Sequence, residues 1–177
     1  MVLSVAFYGN KVLRTRCAEV EEITPWIRQL AADMIETMDA KSGIGIAAPQ
    51  VGHPVRLFVL RNYLEEEEEG KTNLSDPQVY INPKILYRSE ETCVEVEGCL
   101  SIPGIREEVE RPVHIIIEAT DLEGKTFKEE LYGYNARVRM HENDHLNGVL
   151  FVDRLPLVKR KKIAHFLKQI ESRHKTN

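Results

Sequence analysis

The stretch His141-Glu142-Asn143-Asp144-His145 decides how the rest of this chain is interpreted. Residues four positions apart lie on one face of an α-helix, so both imidazoles would project to one side and could hold one cation. Glu142 directly follows the first histidine and would reach a water molecule bound to that cation. The spacing predicts a metal-dependent hydrolase helix with two ligands and a general base. The alternative is a chance pattern on a solvated helix, and a third metal ligand elsewhere in the chain would decide between the two.

Candidates for the third ligand lie on both sides of this stretch. Upstream, Cys99 sits in Glu97–Gly104, where two glycines and a proline break an alternating pattern and predict a bend from which a thiolate points into a cleft. A buried structural cysteine is the alternative. Downstream, the candidates are His165 and Glu171, and His165 lies inside an ordinary amphipathic helix. We favour Cys99, because one cysteine and two histidines with one open position are a recognised catalytic metal set.

The composition is that of an ordinary globular protein. The 177 residues are 42% hydrophobic and 29% charged with a net charge of -4, which argues against bulk binding to DNA or other nucleic acid. No apolar run is long enough to span a bilayer, and the first residues lack the pattern of a secretory signal. Three cysteines do not make a disulfide framework. We therefore expect a single catalytic domain, residues 1–177, in the cytoplasm and without a membrane segment.

Helices are predicted near both ends of the chain. Thr24-Pro25 predicts the start of a helix that runs to about Ala40, with Trp26 on its apolar stripe. A last helix is predicted from about Val158 to Ser172. It begins with the basic run Lys159-Arg160-Lys161-Lys162, which usually indicates a solvated face but could also contact RNA or an acidic partner.

Strands are predicted between these helices. Their content of β-branched and aromatic residues indicates Val55–Leu60, Val79–Tyr87 with an interruption at Pro83, Thr92–Val96, Val113–Ala119 and Thr126–Tyr132. The five glutamates of Glu65–Glu69 predict a solvated loop. The glycine-rich and alanine-rich stretch Gly43–Gln50 predicts either a tight strand pairing or a strand that lines a site, with Gln50 supplying an amide donor.

Three stretches together resemble the peptide deformylase family. They are Gly43–Gln50 (GIGIAAPQ), Glu97–Ser101 (EGCLS) and His141–Leu146 (HENDHL), and they occur in the family's order. The likeness extends to Tyr8–Val20 and Gly148–Asp153, so that it covers nearly the whole chain. Any one stretch is a weak or moderate signal, whereas the three in order are highly specific.

The resemblance implies a fold, a reaction and a cofactor. The fold is α+β, with antiparallel β-sheets around a central metal-binding helix and with N-terminal and C-terminal helices. The reaction removes the N-formyl group from the N-terminal methionine of nascent peptides and releases formate. Cys99, His141 and His145 would hold one divalent metal ion. Iron(II) is the family's usual metal, and zinc, nickel or cobalt can occupy the site.

The resemblance also implies roles for individual residues. Glu142 would take a proton from the attacking water and pass a proton to the leaving amine. The Gln50 side chain and the Leu100 backbone N–H would donate to the oxygen of the tetrahedral intermediate. The residues expected to bind the peptide are Gly43, Ile44, Gly45 and Arg106, and a surface salt bridge is the alternative for Arg106.

The chain departs from the family pattern at two positions of the metal-binding helix. Met140 stands where the family often has glutamine, and Asn143 stands where it commonly has an apolar residue. Asn143 predicts a more exposed helix face or a partner bound there. Arg137 and Arg139 are expected to shape the substrate entrance.

Two competing functions remain open at this point. The first is a zinc peptidase whose third ligand is His165 or Glu171. The second is a catalytically silent protein that binds the ribosome through the basic run Lys159–Lys162. Every catalytic role has a residue that could fill it, which argues against a catalytically silent protein. Contact with the ribosome can coexist with enzyme activity.

Overall fold

The computed structural model describes residues 1–64 and 73–175. Its α-helices are α1 (Pro25–Ala40), α2 (Gly133–Leu146) and α3 (Leu157–Arg173). Its strands are β1 (Gly45–Ala47), β2 (Leu57–Leu60), β3 (Gln78–Arg88), β4 (Thr92–Cys99), β5 (Ile102–Pro112), β6 (His114–Thr120) and β7 (Thr126–Tyr132). Short 3-10 helices span Lys11–Arg14, Ala48–Val51 and Phe151–Arg154. The predicted loop Glu65–Glu69 lies outside the described residues.

Helix α1 has the predicted bounds. The Thr24 side chain accepts a hydrogen bond of 3.3 Å from the backbone N–H of Ile27, and Pro25 fills the first helical position, where no partner for an N–H is needed. Its buried face packs on β1 and β2 through Leu30, Met34 and other apolar residues. Trp26, which was predicted to lie on the core stripe, is instead 51% exposed. Its ring meets the His53 ring edge to face at 5.4 Å, outside the core.

Two antiparallel sheets frame the molecule. The larger has the strand order β1-β2-β3-β6-β7, and the smaller pairs β4 with β5. The expected interruption in β3 is a bulge between Ile81 and Lys84, where Asn82 has a φ of 50°. The start of β5 at Ile102 was not predicted, because Pro103 and Gly104 suggested a longer bend.

Helix α2 lies against the large sheet. Its apolar residues Ala136, Val138 and Met140 share one core cluster with Phe58 of β2 and Ile117 of β6. The same helix also buries six polar side chains: Arg137, Arg139, Glu142, Asn143, Asp144 and His145. Burying this many polar groups is costly unless each has a partner, so the partners of α2 identify the region where function is concentrated. The architecture confirms the expected α+β fold with antiparallel sheets around the helix that carries the two histidines.

Asn143 corrects one expectation from the sequence. It is only 5% exposed, so it does not form an exposed face of α2. The prediction failed because an amide side chain was assumed to face solvent.

Helix α3 closes the other side of the smaller sheet. It starts one residue before the predicted helix and ends one residue after it. Ile163, Leu167 and Ile170 pack into a second core cluster that includes Ile102 and Val109 of β5. No helix in the described ranges is long and apolar enough to cross a membrane.

Candidate active site

Three potential metal ligands converge between α2 and the end of β4. One helical turn places the rings of His141 and His145 on the same face, with centroids 5.2 Å apart. Cys99 is the last residue of β4, and its Sγ lies 3.4 Å from Nε2 of His145. One donor atom from each of the three residues lies within 4.8 Å of the others. The two downstream candidates are elsewhere: the His165 ring lies tilted against the Phe166 ring on α3, and Glu171 packs against Gly9.

This donor set fits a single transition-metal ion. Bonds of about 2.0 Å to nitrogen and 2.3 Å to sulfur at a tetrahedral angle place neighbouring N and S ligands roughly 3.5 Å apart. The observed separation of 3.4 Å between Cys99 and His145 agrees with that value. Within residues 1–64 and 73–175 no other group of His, Cys, Asp and Glu side chains has this arrangement.

Glu97 orients His141 and was not predicted from the sequence as a site residue. Its Oε1 lies 2.8 Å from Nδ1 of His141, which leaves Nε2 of that ring directed towards the site. Arg111 donates to both carboxylate oxygens of Glu97, at 2.6 and 2.9 Å, and Arg137 donates to Oε2 at 2.7 Å. A carboxylate behind a ligating histidine is the usual arrangement in metal sites.

The ionic network continues to the second ligand-bearing element. Arg111 also donates to Asp144 of α2 at 2.9 Å, and Arg154 donates to both oxygens of Asp144 at 2.6 and 2.7 Å. Arg111 is 3% exposed, and it joins β4, which carries Cys99, to α2, which carries the histidines. These ion pairs therefore fix β4 relative to α2, and so fix the position of Cys99 relative to the two histidines.

The electrostatics of the site favour a positive charge between Cys99 and Glu97. Burial opposes protonation of His141, but hydrogen bonds to Cys99 and Glu97 outweigh burial and raise the pKa of His141 well above its usual value. Burial and the neighbouring charge of His141 lower the pKa of His145, which keeps that ring neutral. A bound cation would supply the positive charge that the surroundings of His141 stabilise.

Glu142 is a buried carboxyl group beside the ligand set. Burial raises its pKa to about 7, which suits proton transfer near neutral pH. A Cβ atom on Gly45 would lie 2.7 Å from Oε1 of Glu142, so the glycine makes room for the carboxylate. None of the described residues donates a hydrogen bond to the buried Oε2 of Glu142. That oxygen is available to a water molecule or a substrate.

Gln50 directs its side-chain amide towards the metal-ligand set. Its Oε1 accepts a hydrogen bond of 2.9 Å from the backbone of Ala47, and this bond fixes the orientation of the amide. Its Nε2 lies 3.4 Å from the Cys99 sulfur and donates to the Ser101 hydroxyl at 3.1 Å. Ser101, buried and in the turn from β4 to β5, was not identified as a site residue from the sequence.

These groups border one cavity of about 410 Å³. The predicted site residues that line it are Gly43, Ile44, Gly45, Gln50, Cys99, Leu100, Arg106, His141 and Glu142, and His145 lies buried behind them. The lining also includes residues to which the sequence had given no role: Tyr63, Glu97, Tyr134 and Val138. Arg137 lines the cavity as expected. Arg139 does not, because its guanidinium is buried against Tyr80 and Glu129 on the far side of α2.

The basic run at the start of α3 is only partly free. Lys159 donates to Glu108 at 2.8 Å, and Arg160 lies 3.2 Å from Asp153. Lys161 and Lys162 are exposed and form no ion pair with the part of the chain that the structure describes. The surface charge available to a partner is therefore smaller than the sequence suggests.

Comparisons with known proteins agree with this site. The family model described as polypeptide deformylase matches residues 2–161. The chain is 46% identical to the peptide deformylase of Bradyrhizobium diazoefficiens over 87% of both chains. It is 44% identical to that of Acinetobacter baumannii, over 96% of this chain and 92% of the relative.

Solved structures give the same result. The crystal structure of peptide deformylase from Thermus thermophilus superposes with a TM-score of 0.86 at 41% identity, and covers 98% of this chain and 99% of that one. A class I type b peptide deformylase from Acinetobacter baumannii, solved with Met-Ala-Ser bound, has a TM-score of 0.80 at 37% identity, over 88% of this chain and 99% of that one. The chain therefore belongs to the polypeptide deformylase family, the metal-dependent hydrolases that remove the N-formyl group from the N-terminal methionine of newly made peptides.

Proposed function

We propose that Cys99, His141 and His145 hold the metal ion of this deformylase and that Glu142 is its general base. The observation that carries the proposal is the position of the Glu142 carboxylate. It is buried beside the ligand set, and its Oε2 has no hydrogen-bond donor among the described residues. A divalent metal in this donor set would supply Lewis-acid activation of the attacking water.

Proton transfer is assigned to Glu142. Its carboxylate accepts the proton of the attacking water and delivers it to the amine nitrogen as the formyl C–N bond breaks, so that formate and a free N-terminus are the products. A carboxyl group with a pKa of about 7 can perform both steps near neutral pH.

Two donors are assigned to the oxyanion that develops on the formyl oxygen. The Gln50 amide is held by Ala47, and its Nε2 group, 3.4 Å from the Cys99 sulfur, lies beside the ligand set and would donate to an oxyanion formed there. The Leu100 backbone N–H belongs to the turn directly after Cys99. Donors fixed in place before the reaction stabilise developing charge without reorganisation.

The peptide is assigned to the rest of the cavity. Gly43, Ile44, Gly45 and Arg106 all line this part of the cavity. We assign Ile44 to an apolar contact with the methionine side chain, and the two glycines and Arg106 to contacts with the rest of the peptide. The Met-Ala-Ser peptide bound to the Acinetobacter baumannii relative supports a site for peptides that begin with methionine.

The finer assignments follow the family. We propose iron(II) as the native metal, with zinc, nickel or cobalt able to replace it, and residues 1–177 as one catalytic domain. We place the enzyme in the cytoplasm, where nascent chains are its substrate, and assign a ribosome contact to the basic run Lys159–Lys162. Lys161 and Lys162 are the residues of this run that are exposed and form no ion pair within residues 1–64 and 73–175.

Replacement of the third ligand tests the metal assignment. Cys99→Ala should lose the bound metal and formate release, whereas Cys93→Ala, a change six residues earlier on the same strand, should retain both. A Cys99→Ala protein that still holds one metal per chain would show that Cys99 is not the third metal ligand.

Charge reversal tests the ribosome contact. Lys161→Glu combined with Lys162→Glu should reduce co-sedimentation with ribosomes at low salt, because phosphate contacts depend on positive charge. Lys41→Glu combined with Lys125→Glu changes the net charge equally at other sites and is the control. An equal loss of co-sedimentation in both double variants, or no loss in either, would contradict a ribosome contact at α3.

A further inference from the structure

The N-terminal segment Ala6–Tyr8, called the strap below, runs beside two residues of the active site. The backbone N–H of Ala6 donates to the Gln50 carbonyl at 2.7 Å, and the backbone N–H of Tyr8 donates to the Ser101 carbonyl at 2.9 Å. Gln50 lies in the 3-10 helix that follows β1, whereas Ser101 lies in the turn between β4 and β5. The strap therefore joins two elements that come from distant parts of the chain and that both border the ligand set.

Gln50 and Ser101 also meet through their side chains. Nε2 of Gln50 donates to the Ser101 hydroxyl oxygen at 3.1 Å, and both residues are almost completely buried. The backbone N–H of Ala47 donates to Oε1 of Gln50 at 2.9 Å. Because a backbone N–H can only donate, Oε1 has to face Ala47 and Nε2 has to face Ser101, whose hydroxyl is then the acceptor. These two hydrogen bonds together fix the plane of the Gln50 amide.

The Ser101 hydroxyl determines how the Gln50 amide can serve as a donor. The amide nitrogen carries two N–H groups, and donation of one to Ser101 leaves the other for an acceptor beside Cys99, whose Sγ lies 3.4 Å from Nε2. Without the hydroxyl, the amide would keep only its bond to Ala47 and could turn about that bond. A donor stabilises a developing charge best when it is held in place before the reaction. The orientation of Gln50, and with it the reaction rate, should therefore depend on Ser101.

The strap has its own anchor at the end of α3. The Phe7 ring stacks on the ring of His174, the residue after α3, with centroids 3.8 Å apart and an interplanar angle of 20°. All three residues of the strap also pack against the core cluster that α3 shares with β5. These contacts hold the strap independently of its hydrogen bonds to Gln50 and Ser101, so that it can keep the two backbones at a constant separation.

We infer that Ser101 is a positioning residue for the oxyanion donor Gln50, and that the strap, anchored by Phe7, holds these two residues together. Ser101 is not among the residues that line the cavity, so it acts on the reaction through Gln50 and not by contact with the substrate. The inference rests on the proposed function of Gln50. It adds a buried hydroxyl and a segment of the N-terminus to the residues on which the rate depends.

Steady-state kinetics of Ser101→Ala test the positioning role. We expect kcat for a formyl-methionyl peptide to fall roughly twofold to twelvefold, the population change that one net hydrogen bond controls, with KM nearly unchanged. In a Gln50→Ala background the same substitution should have no further effect on kcat, because no amide remains to be positioned. Ser89→Ala is the matched control, since the Ser89 hydroxyl also accepts an N–H, from the backbone of His114 at 3.1 Å, and does not line the cavity.

Phe7→Leu tests the strap. Leucine keeps an apolar side chain in the core cluster but removes the ring that stacks on His174, so the strap should be less firmly held. We expect kcat to fall, and this loss should again be absent in the Gln50→Ala background. Phe166→Leu is the control, because Phe166 is an exposed phenylalanine of α3 that lies outside the strap. A wild-type kcat in Phe7→Leu would overturn the role of the strap.

Nuclear magnetic resonance separates this inference from the proposed chemistry. The side-chain amide signals of Gln50 are observed without turnover in zinc-loaded, nitrogen-15-labelled protein and are identified by their loss in Gln50→Ala. Ser101→Ala should move one of the two Hε2 signals towards the shift of a free amide, whereas Ser89→Ala should move neither. Unmoved signals in Ser101→Ala, or an equal fall in kcat with and without Gln50, would overturn the inference. A wild-type kcat in Gln50→Ala would instead overturn the oxyanion assignment, and the amide signals would still decide whether Ser101 positions Gln50.

Discussion

The carboxylate of Glu142 occupies the space in which a side chain of Gly45 would lie. A Cβ atom on Gly45 would be 2.7 Å from Oε1 of Glu142, closer than real Cβ contacts essentially ever come, and 3.0 Å from its Cγ, which is tighter than most. Glu142 lies on α2 and Gly45 on β1, so the helix that carries the ligands and the strand that borders the substrate meet at this contact. The absence of a side chain at residue 45 is what permits a carboxylate beside the metal ligands.

Gly45→Ala should therefore reduce catalysis while the metal remains bound. The added methyl group displaces the Glu142 carboxylate, and a shift of about 1 Å in a catalytic group costs on the order of a hundredfold in rate. We expect kcat to fall by that order, with the metal content per chain unchanged. Gly98→Ala is the comparison, because a Cβ there would make an ordinary contact of 3.5 Å with Arg106. Equal kcat values for the two variants would show that Gly45 does not position Glu142.

Glu97→Gln should weaken metal binding. It removes the negative charge that orients His141. It also leaves the positive charges of Arg111 and Arg137 without their Glu97 ion pairs in a buried site. Loss of a carboxylate behind a ligating histidine typically costs 10-fold to 100-fold in metal affinity, and that loss is measured by titration with a competing chelator. Glu95→Gln, at an exposed position of the same strand, should leave the affinity unchanged. Wild-type affinity in Glu97→Gln would contradict the orienting role.

Gln50→Ala should lower kcat more than it raises KM. The amide is assigned to the developing oxyanion, and removal of one such donor costs roughly 100-fold to 1000-fold in kcat. Steady-state rates with a formyl-methionyl peptide measure both constants. Gln29→Ala on the exposed side of α1 is the control. A change confined to KM would instead assign Gln50 to ground-state binding.

Asp153 should contribute stability that depends on pH. Burial alone would raise its pKa, but the Arg14 guanidinium and the backbone N–H of Leu150, 2.9 Å away, lower it overall. Because the folded pKa lies below the unfolded value of about 3.9, the contribution is present above that value and is lost as the pH falls through the folded pKa.

Asp153→Asn should accordingly destabilise the protein at pH 7 by about 1 kcal/mol, a value reduced for the solvent exposure of Arg14 and Arg160. The difference from wild type should shrink as the pH falls below the unfolded pKa and should disappear once the pH is below the folded pKa of Asp153. Urea unfolding across this range measures it, with Asp76→Asn at an exposed position as the control. A difference that is constant with pH would show that the ion pairs do not cause it.

Much of this fold could be predicted because its signals are local. The Thr24-Pro25 start of α1 and the apolar spacing of α3 depend on neighbouring residues, and both helices lie within one residue of expectation. The histidine pair is also local, since four residues make one turn. Cys99 required a second argument from Gly98 and Pro103, which predict a bend, and the structure brings it to the histidines.

The remainder depends on contacts between distant parts of the chain. Glu97, Arg111 and Asp144 resemble surface residues in a sequence, because isolated charges are rarely buried. They are buried together because each neutralises another, and that pairing spans 47 positions of sequence from Glu97 to Asp144. The predictions for Asn143 and Arg139 were wrong for the same reason: these residues were expected to face solvent or the substrate, and both are buried. Tyr63 is a similar case, because only the folded chain places it against Tyr134.

The most direct test of the assigned mechanism is formate release from a formyl-Met peptide by Glu142→Ala, purified without oxygen and assayed for metal beside the wild type. We expect formate from the wild type and at least a hundredfold slower release from a Glu142→Ala protein that still holds one metal per chain. Release near the wild-type rate from that metal-replete variant would show that Glu142 is not the base.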